Sequence, residues 1–195
     1  QVADFLSCSN LLVDIDGVGS SSSGNFAYTW STANGNIASG QNTLLVQVDQ
    51  PGDYLLQVED LSNACIETTS VSVTQDLTAP VSSIAMPDTI DCGTFEVDLL
   101  GDVGPNPAPT YVYTWTTANG NISSGTNVLN ATADQVGTYT LQVLDSFNGC
   151  TATSTVEVTQ DVIAPNADAG SAQILDCNLT EQALDGSASS TGAEF

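Results

Sequence analysis

The tightest constraint on this chain is a near-duplicate within it. Tyr113-Thr114-Trp115-Thr116-Thr117-Ala118-Asn119-Gly120-Asn121-Ile122 repeats Tyr28-Thr29-Trp30-Ser31-Thr32-Ala33-Asn34-Gly35-Asn36-Ile37. The two tryptophans, the only ones present, stand 85 residues apart. Aromatic residues at period two followed by Asn-Gly read as a strand and a turn. Their recurrence implies a protein assembled from copies of one small β-domain.

The rest of the chain aligns to that frame. Residues 1–76 form one repeat, 77–161 a second, and 162–195 the first strands of an incomplete third. Leu11, Val13 and Ile15, then Leu44, Val46 and Val48, then Tyr54, Leu56 and Val58 alternate with polar neighbours in the first repeat. Phe95, Val97 and Leu99, then Val128 and Leu129, then Tyr139, Leu141 and Val143 follow in the second. Ala79-Pro80-Val81 opens an edge strand running towards Met86, where proline is tolerated. Turn signals recur at regular spacing and no helical periodicity is present. Each repeat is therefore expected to be an all-β, antiparallel immunoglobulin-like sandwich of about seven strands. The domains stand end to end, with Trp30, Trp115, Tyr54 and Tyr139 in their cores.

The five cysteines obey the same frame. Cys8, Cys92 and Cys177 are early in their repeats, and Cys65 and Cys150 are late. One disulfide per repeat is expected, Cys8–Cys65 and Cys92–Cys150, with Cys177 unpaired within this chain. A loop of that size stabilises by roughly 4 kcal/mol in the chain-entropy picture. Paired cysteines point to an oxidising compartment. In antibody domains the second cysteine shares a strand with the conserved tyrosine, but here Leu141 holds that place and Cys150 falls in the next hairpin, so the staple is expected at a sheet end.

Charge narrows the function. The chain holds 23 Asp and Glu and no Lys, Arg or His, for a net charge of −23. No side-chain salt bridge can form. Nucleic acid is not a partner, because nothing neutralises phosphate. The usual general bases, oxyanion cations and phosphate clamps are missing, so no catalysis is expected. The bias suits protection from trypsin-like proteases, or reflects drift in a repetitive Ser/Thr/Asn-rich protein. No run of about 20 apolar residues and no basic-then-apolar leader is read, so membrane insertion is not expected. The cofactor reading is none, with calcium as the alternative: hard cations want clustered oxygen ligands. Its candidate positions are Asp60 with Asn63, Asp145 with Asn148, and the junction acids Asp76 and Asp161. Asx turns are the competing explanation of each.

Ala164-Pro165-Asn166-Ala167-Asp168-Ala169-Gly170, Leu184-Asp185-Gly186-Ser187-Ala188-Ser189-Ser190-Thr191-Gly192, Tyr113-Thr114-Trp115, Gly137-Thr138-Tyr139-Thr140-Leu141-Gln142-Val143 and Asn148-Gly149-Cys150 together resemble the PKD-type and immunoglobulin-like repeats of large secreted surface adhesins of Bacteroidetes-type bacteria. The resemblance covers nearly the whole chain. It implies PKD-like domains, an extracellular structural or adhesive role, and an O-glycosylation motif at Asp88-Thr89-Ile90 with Thr89 as acceptor.

The function expected is a semi-rigid rod or adhesive stalk. Its partners would be neighbouring repeats, or identical subunits in a fibre, with surface glycans or other cells as targets. Cys177 lies 18 residues before Phe195, as Cys8 lies 18 before Phe26. The chain is thus expected to be a window on a longer array. In the alternative, it is a filament subunit that donates strands 162–195 to a neighbour. A carbohydrate-binding module using aromatic faces is the third reading.

Overall fold

The structure, a computed structural model, describes residues 5–105, 107–178 and 181–191. The first repeat contains β1 (Leu6–Ser7), β2 (Val13–Asp16), β3 (Phe26–Thr32), β4 (Ile37–Ser39), β5 (Leu45–Val48), β6 (Gly52–Asp60), β7 (Cys65–Val73) and β8 (Gln75–Asp76). The second contains β9 (Ser83–Ile84), β10 (Ile90–Asp91), β11 (Val97–Asp102), β12 (Tyr111–Thr117), β13 (Ile122–Ser124), β14 (Asn130–Ala133), β15 (Gly137–Asp145), β16 (Thr151–Val158) and β17 (Gln160–Asp161).

In the second repeat one sheet runs β13-β14-β11-β9 and the other β12-β15-β16. Read along the chain, these are the four-strand and three-strand sheets of a constant-type immunoglobulin sandwich. The first repeat forms the same two sheets, β2-β5-β4 and β3-β6-β7, without a counterpart of β9 among the described residues. Inward residues of facing sheets make each core: Val13, Ile15, Trp30, Val46, Val48, Tyr54 and Leu56 in one, and Val97, Leu99, Trp115, Ala131, Ala133, Tyr139, Leu141 and Val143 in the other. The alternation is followed closely in β2, where Val13 and Ile15 are buried and Asp14 and Asp16 exposed.

Each aromatic anchor satisfies its polar atom. Trp30 Nε1 donates to the Thr43 carbonyl at 2.9 Å, and Trp115 Nε1 to the Val128 carbonyl at 3.1 Å. Tyr54 Oη donates to Gln50 O at 2.6 Å and accepts from Asn36 N at 3.0 Å; Tyr139 does the same with Gln135 O and Asn121 N. This is the tyrosine corner of immunoglobulin-like sandwiches, and burial pushes both phenols up.

The Asn-Gly pairs have a different role from the one their sequence suggests. Neither Gly35 nor Gly120 lies in the left-handed region; a Cβ on either would stand 2.3 Å from the corner tyrosine's hydroxyl. Glycine is required there by close approach. Asn34 Oδ1 accepts the Asp53 amide and Asn119 Oδ1 the Thr138 amide, both at 2.9 Å, so the asparagine ties this turn to the start of the tyrosine strand.

Five strand expectations change. Val128 and Leu129 precede β14, which buries Ala131 and Ala133 instead. Leu11 and Phe95 are exposed outside the strands, because the chain after each early cysteine is a turn. The Pro80 segment pairs only over Ser83–Ile84. The last strand of the first repeat begins at Cys65, well before Val71. Residues 162–178 and 181–191 contain no strand; Asn166 O accepts the Ser190 amide at 2.9 Å, and Asp168 N donates to Ser189 Oγ at 2.9 Å. Gly192 and Phe195 lie outside the described residues.

Candidate functional site

The site that distinguishes this chain is the joint between the repeats. β1 runs parallel to β8, Leu6 opposite Gln75 and Ser7 opposite Asp76, so Cys8 lies just beyond the end of the first sandwich. Against it sits the hairpin between β15 and β16 of the second repeat. Cys8 bonds to Cys150, with Cα atoms 5.0 Å apart and 142 residues between them in sequence. The expected pairs Cys8–Cys65 and Cys92–Cys150 are therefore corrected: Cys65, Cys92 and Cys177 are all free and exposed. The reason is strand length. Cys65 opens the nine-residue β7, whereas Cys8 sits beside the residues that follow β7. At about 3.3 Å per residue the two cysteines are nearly 30 Å apart, and a disulfide needs Cα atoms within roughly 7 Å. Cys150 and Cys92 are separated in the same way by β16.

Further contacts close the joint. Asn148 is buried; its Nδ2 donates to the Thr78 carbonyl at 3.0 Å, and its Oδ1 accepts the Cys150 amide at 2.9 Å. Its carbonyl accepts the Ser9 amide at 3.3 Å. Phe147 stacks on Phe5 with ring centroids 5.1 Å apart. Gly149 has φ 73°, and a Cβ there would come within 2.4 Å of Ser9 Cβ. The Thr78 amide, then its hydroxyl, and to a smaller extent the Asn148 side chain hold the Asp76 carboxyl below the ordinary carboxylate range.

The other candidate residues are placed as follows. Trp30, Trp115, Tyr54 and Tyr139 are buried, so neither tryptophan offers a face to a sugar. Asp60 Oδ1 accepts the Ser62 amide, Asp145 Oδ1 the Phe147 amide and Asp161 Oδ1 the Ile163 amide. Asn63 Oδ1 accepts the Cys65 amide. These are Asx turns, and among the described residues no three metal-ligating side chains cluster. Hydrogen bonds from the Ser62 hydroxyl and amide hold the Asp60 carboxyl below its ordinary range. Thr89 is exposed beside Thr159, with Oγ1 atoms 3.4 Å apart.

No protein-family model matches the sequence, and no curated protein matches it. Among solved structures, the chain is similar to the three N-terminal domains of the Highly Immunogenic Outer Capsid protein of bacteriophage RB49, at 16% identity and TM-score 0.44, covering 82% of this chain and 58% of that one. It is also similar to the four N-terminal immunoglobulin domains of Dscam1 isoform 1.9, at 17% identity and TM-score 0.33, covering 70% and 38%. The human desmocollin-1 ectodomain matches at 15% identity and TM-score 0.31, covering 72% and 31%. The chain thus spans less than two thirds of each of these structures.

Proposed function

We propose that this chain is a structural segment of an extracellular, repetitive surface protein, of the PKD-type adhesin kind found in Bacteroidetes-type bacteria, acting as a semi-rigid rod or stalk without catalysis. The observation that carries this reading is the Cys8–Cys150 bond, which fastens one repeat to the next. A bond within a domain stabilises that domain; a bond across a joint restrains bending between domains. The Phe5–Phe147 stack and the Asn148 hydrogen bonds restrain the same joint. A persistent disulfide also belongs to an oxidising environment. Its partners are further repeats, with glycans or other cells at the far end.

Small-angle scattering before and after reduction tests the rod. The oxidised chain should show one narrow, elongated distance distribution that broadens on reduction. A compact distribution, or one that reduction leaves unchanged, overturns it.

The filament reading, in which residues 162–195 are donated to a neighbour, has its own test. In the second repeat β9 lies against β11 and beside β16, with Ser82 Oγ 2.8 Å from Ser154 Oγ. Among the described residues the matching place in the first repeat is a groove lined by Ile15, Gly17, Trp30, Leu56, Thr69 and Val71. By the 85-residue offset, residues 166–170 are the segment that fits it. A labelled peptide of residues 162–171 should bind the chain; absence of binding sinks strand donation.

A further inference from the structure

Each repeat carries both halves of the joint, and among the described residues one hairpin and one receiver stand exposed. The hairpin half is Asp145 to Cys150 in the second repeat and Asp60 to Cys65 in the first. The receiving half is Cys8 and its neighbours in the first repeat and Cys92 in the second. The second hairpin is seated in the first receiver. The first hairpin and the second receiver are both exposed.

Both open halves are already shaped like their closed counterparts. In the hairpins, Ala64 N donates to Asp60 O at 2.7 Å, as Gly149 N does to Asp145 O. Asn63 Oδ1 caps the Cys65 amide at 2.8 Å, as Asn148 Oδ1 caps Cys150. Ala64 has φ 58° against 73° for Gly149, a left-handed conformation unusual for a residue with a side chain. In the receivers, Ile90 N donates to Thr159 O at 3.0 Å, as Leu6 N does to Thr74 O. Thr89, Asp91, Cys92, Gly93, Asp161 and Ile163 line a surface hollow at the positions of Phe5, Ser7, Cys8, Ser9, Asp76 and Thr78. Those positions hold the Asn148 hairpin.

The departures between the two sets are matched in pairs. In the closed joint the receiver has Ser9 and the hairpin must have glycine, since a Cβ on Gly149 would collide with it. In the open halves the hairpin has Ala64 and the receiver has Gly93, which presents no Cβ to collide with. The stacked Phe5 and Phe147 correspond to Thr89 and Ser62, two small polar residues.

We infer that the Cys65 hairpin fits the Cys92 hollow and that, between two copies of this chain, it docks there and is sealed by a Cys65–Cys92 disulfide, joining them head to tail. This rests on the rod reading and names its partner. Such a contact is heterologous and open-ended, so it propagates. The bond requires a disulfide oxidant such as oxidised glutathione. The Cys65 thiolate attacks one of its sulfurs and displaces a glutathione thiolate. The Cys92 thiolate then attacks the Cys65 sulfur and displaces the second. Two cysteine thiols lose two electrons and two protons, and the oxidant becomes two thiols.

The test uses the full chain carrying Cys177→Ser. One form adds Cys92→Ser and keeps the hairpin thiol; the other adds Cys65→Ser and keeps the receiver thiol. They are mixed in a glutathione redox buffer and read by non-reducing electrophoresis and by mass mapping after cleavage at acidic residues. The Cys65–Cys92 heterodimer should exceed either homodimer at least tenfold. Gly93→Ser in the receiver form should lower its yield at least tenfold, and Ala64→Gly in the hairpin form should restore it by recreating the Ser9–Gly149 pairing. A Cβ at Gly93 meets nothing closer than Asp91 Oδ1 at 3.5 Å, so the variant should fold, with an unchanged melting temperature. Homodimers as abundant as heterodimers, or a heterodimer indifferent to Gly93→Ser, overturn the docking while Cys8–Cys150 and the rod stand. Recovery of Cys8–Cys65 from the native chain overturns both.

Discussion

The two sandwiches share a core and differ at one edge. Trp, corner Tyr, the glycine beneath it and the Asn that caps the next strand recur in both with the same partners. Strand β16 is covered by β9 and shows alternating partial burial, whereas the residues of β7 from Cys65 to Ser70 are exposed throughout. Ile84 of β9 packs on the second core, and among the described residues none takes that place in the first. The strand that completes a sandwich therefore comes from the segment joining it to its predecessor. The disulfide does the same in reverse, reaching from a domain's late hairpin to its predecessor's end.

The largest test of that view is removal of the cross-joint bond. A closed loop of 142 residues corresponds to about 5 kcal/mol in the chain-entropy model. Cys8→Ser with Cys150→Ser should separate the chain's calorimetric unfolding into two transitions, the first sandwich melting lower. A single unchanged transition would show that the joint couples nothing. Next in size are Trp30→Ala and Trp115→Ala, made in that disulfide-free background, each expected to cost about 3–5 kcal/mol and to lower one of its two transitions while leaving the other in place. If either mutation moved both equally, the two cores would not be independent.

The cores were legible in the sequence because burial in a sheet has period two, and Val13, Ile15, Val46 and Val48 obey it. The aromatic anchors were legible for the same reason. The disulfide was not. A spacing of 84 or 85 residues expresses the repeat and is equally compatible with pairing inside one repeat or into the next. What separates those choices is the nine-residue span of β7, which carries Cys65 to the far end of the sandwich from Cys8. Likewise Asn34-Gly35 reads as a turn motif, while its glycine answers to Tyr54, 19 residues later. Long-range steric requirements of this kind leave no local pattern.

The edge difference can be sharpened by weakening β9. In the Cys8→Ser/Cys150→Ser background, Ile84→Ala removes side-chain atoms from the second core, and we expect a loss of about 1–2 kcal/mol confined to the second transition, bringing it towards the first. Should that transition stay where it is, β9 would be an ornament of the second sandwich.

The smallest effect compares the closed and open receivers through their acids. Asp76 and Asp161 cap equivalent turns, but only Asp76 also meets the Asn148 side chain. Because the folded state holds the Asp76 carboxyl below its unfolded value, its contribution is present above the ordinary carboxylate pKa of about 3.9 and is lost as pH falls through the lower folded value. Asp76→Asn keeps the turn acceptor and removes the charge. Its melting temperature should therefore lie below that of the parent by a constant amount from pH 7 to about pH 5, and the gap should close on further acidification. In an Asn148→Ala background, which takes the hairpin's side chain away from Asp76, the gap should be smaller. Equal gaps in the two backgrounds would mean that the seated hairpin adds nothing to the acid beneath it, and the closed joint would rest on the disulfide and the aromatic stack alone.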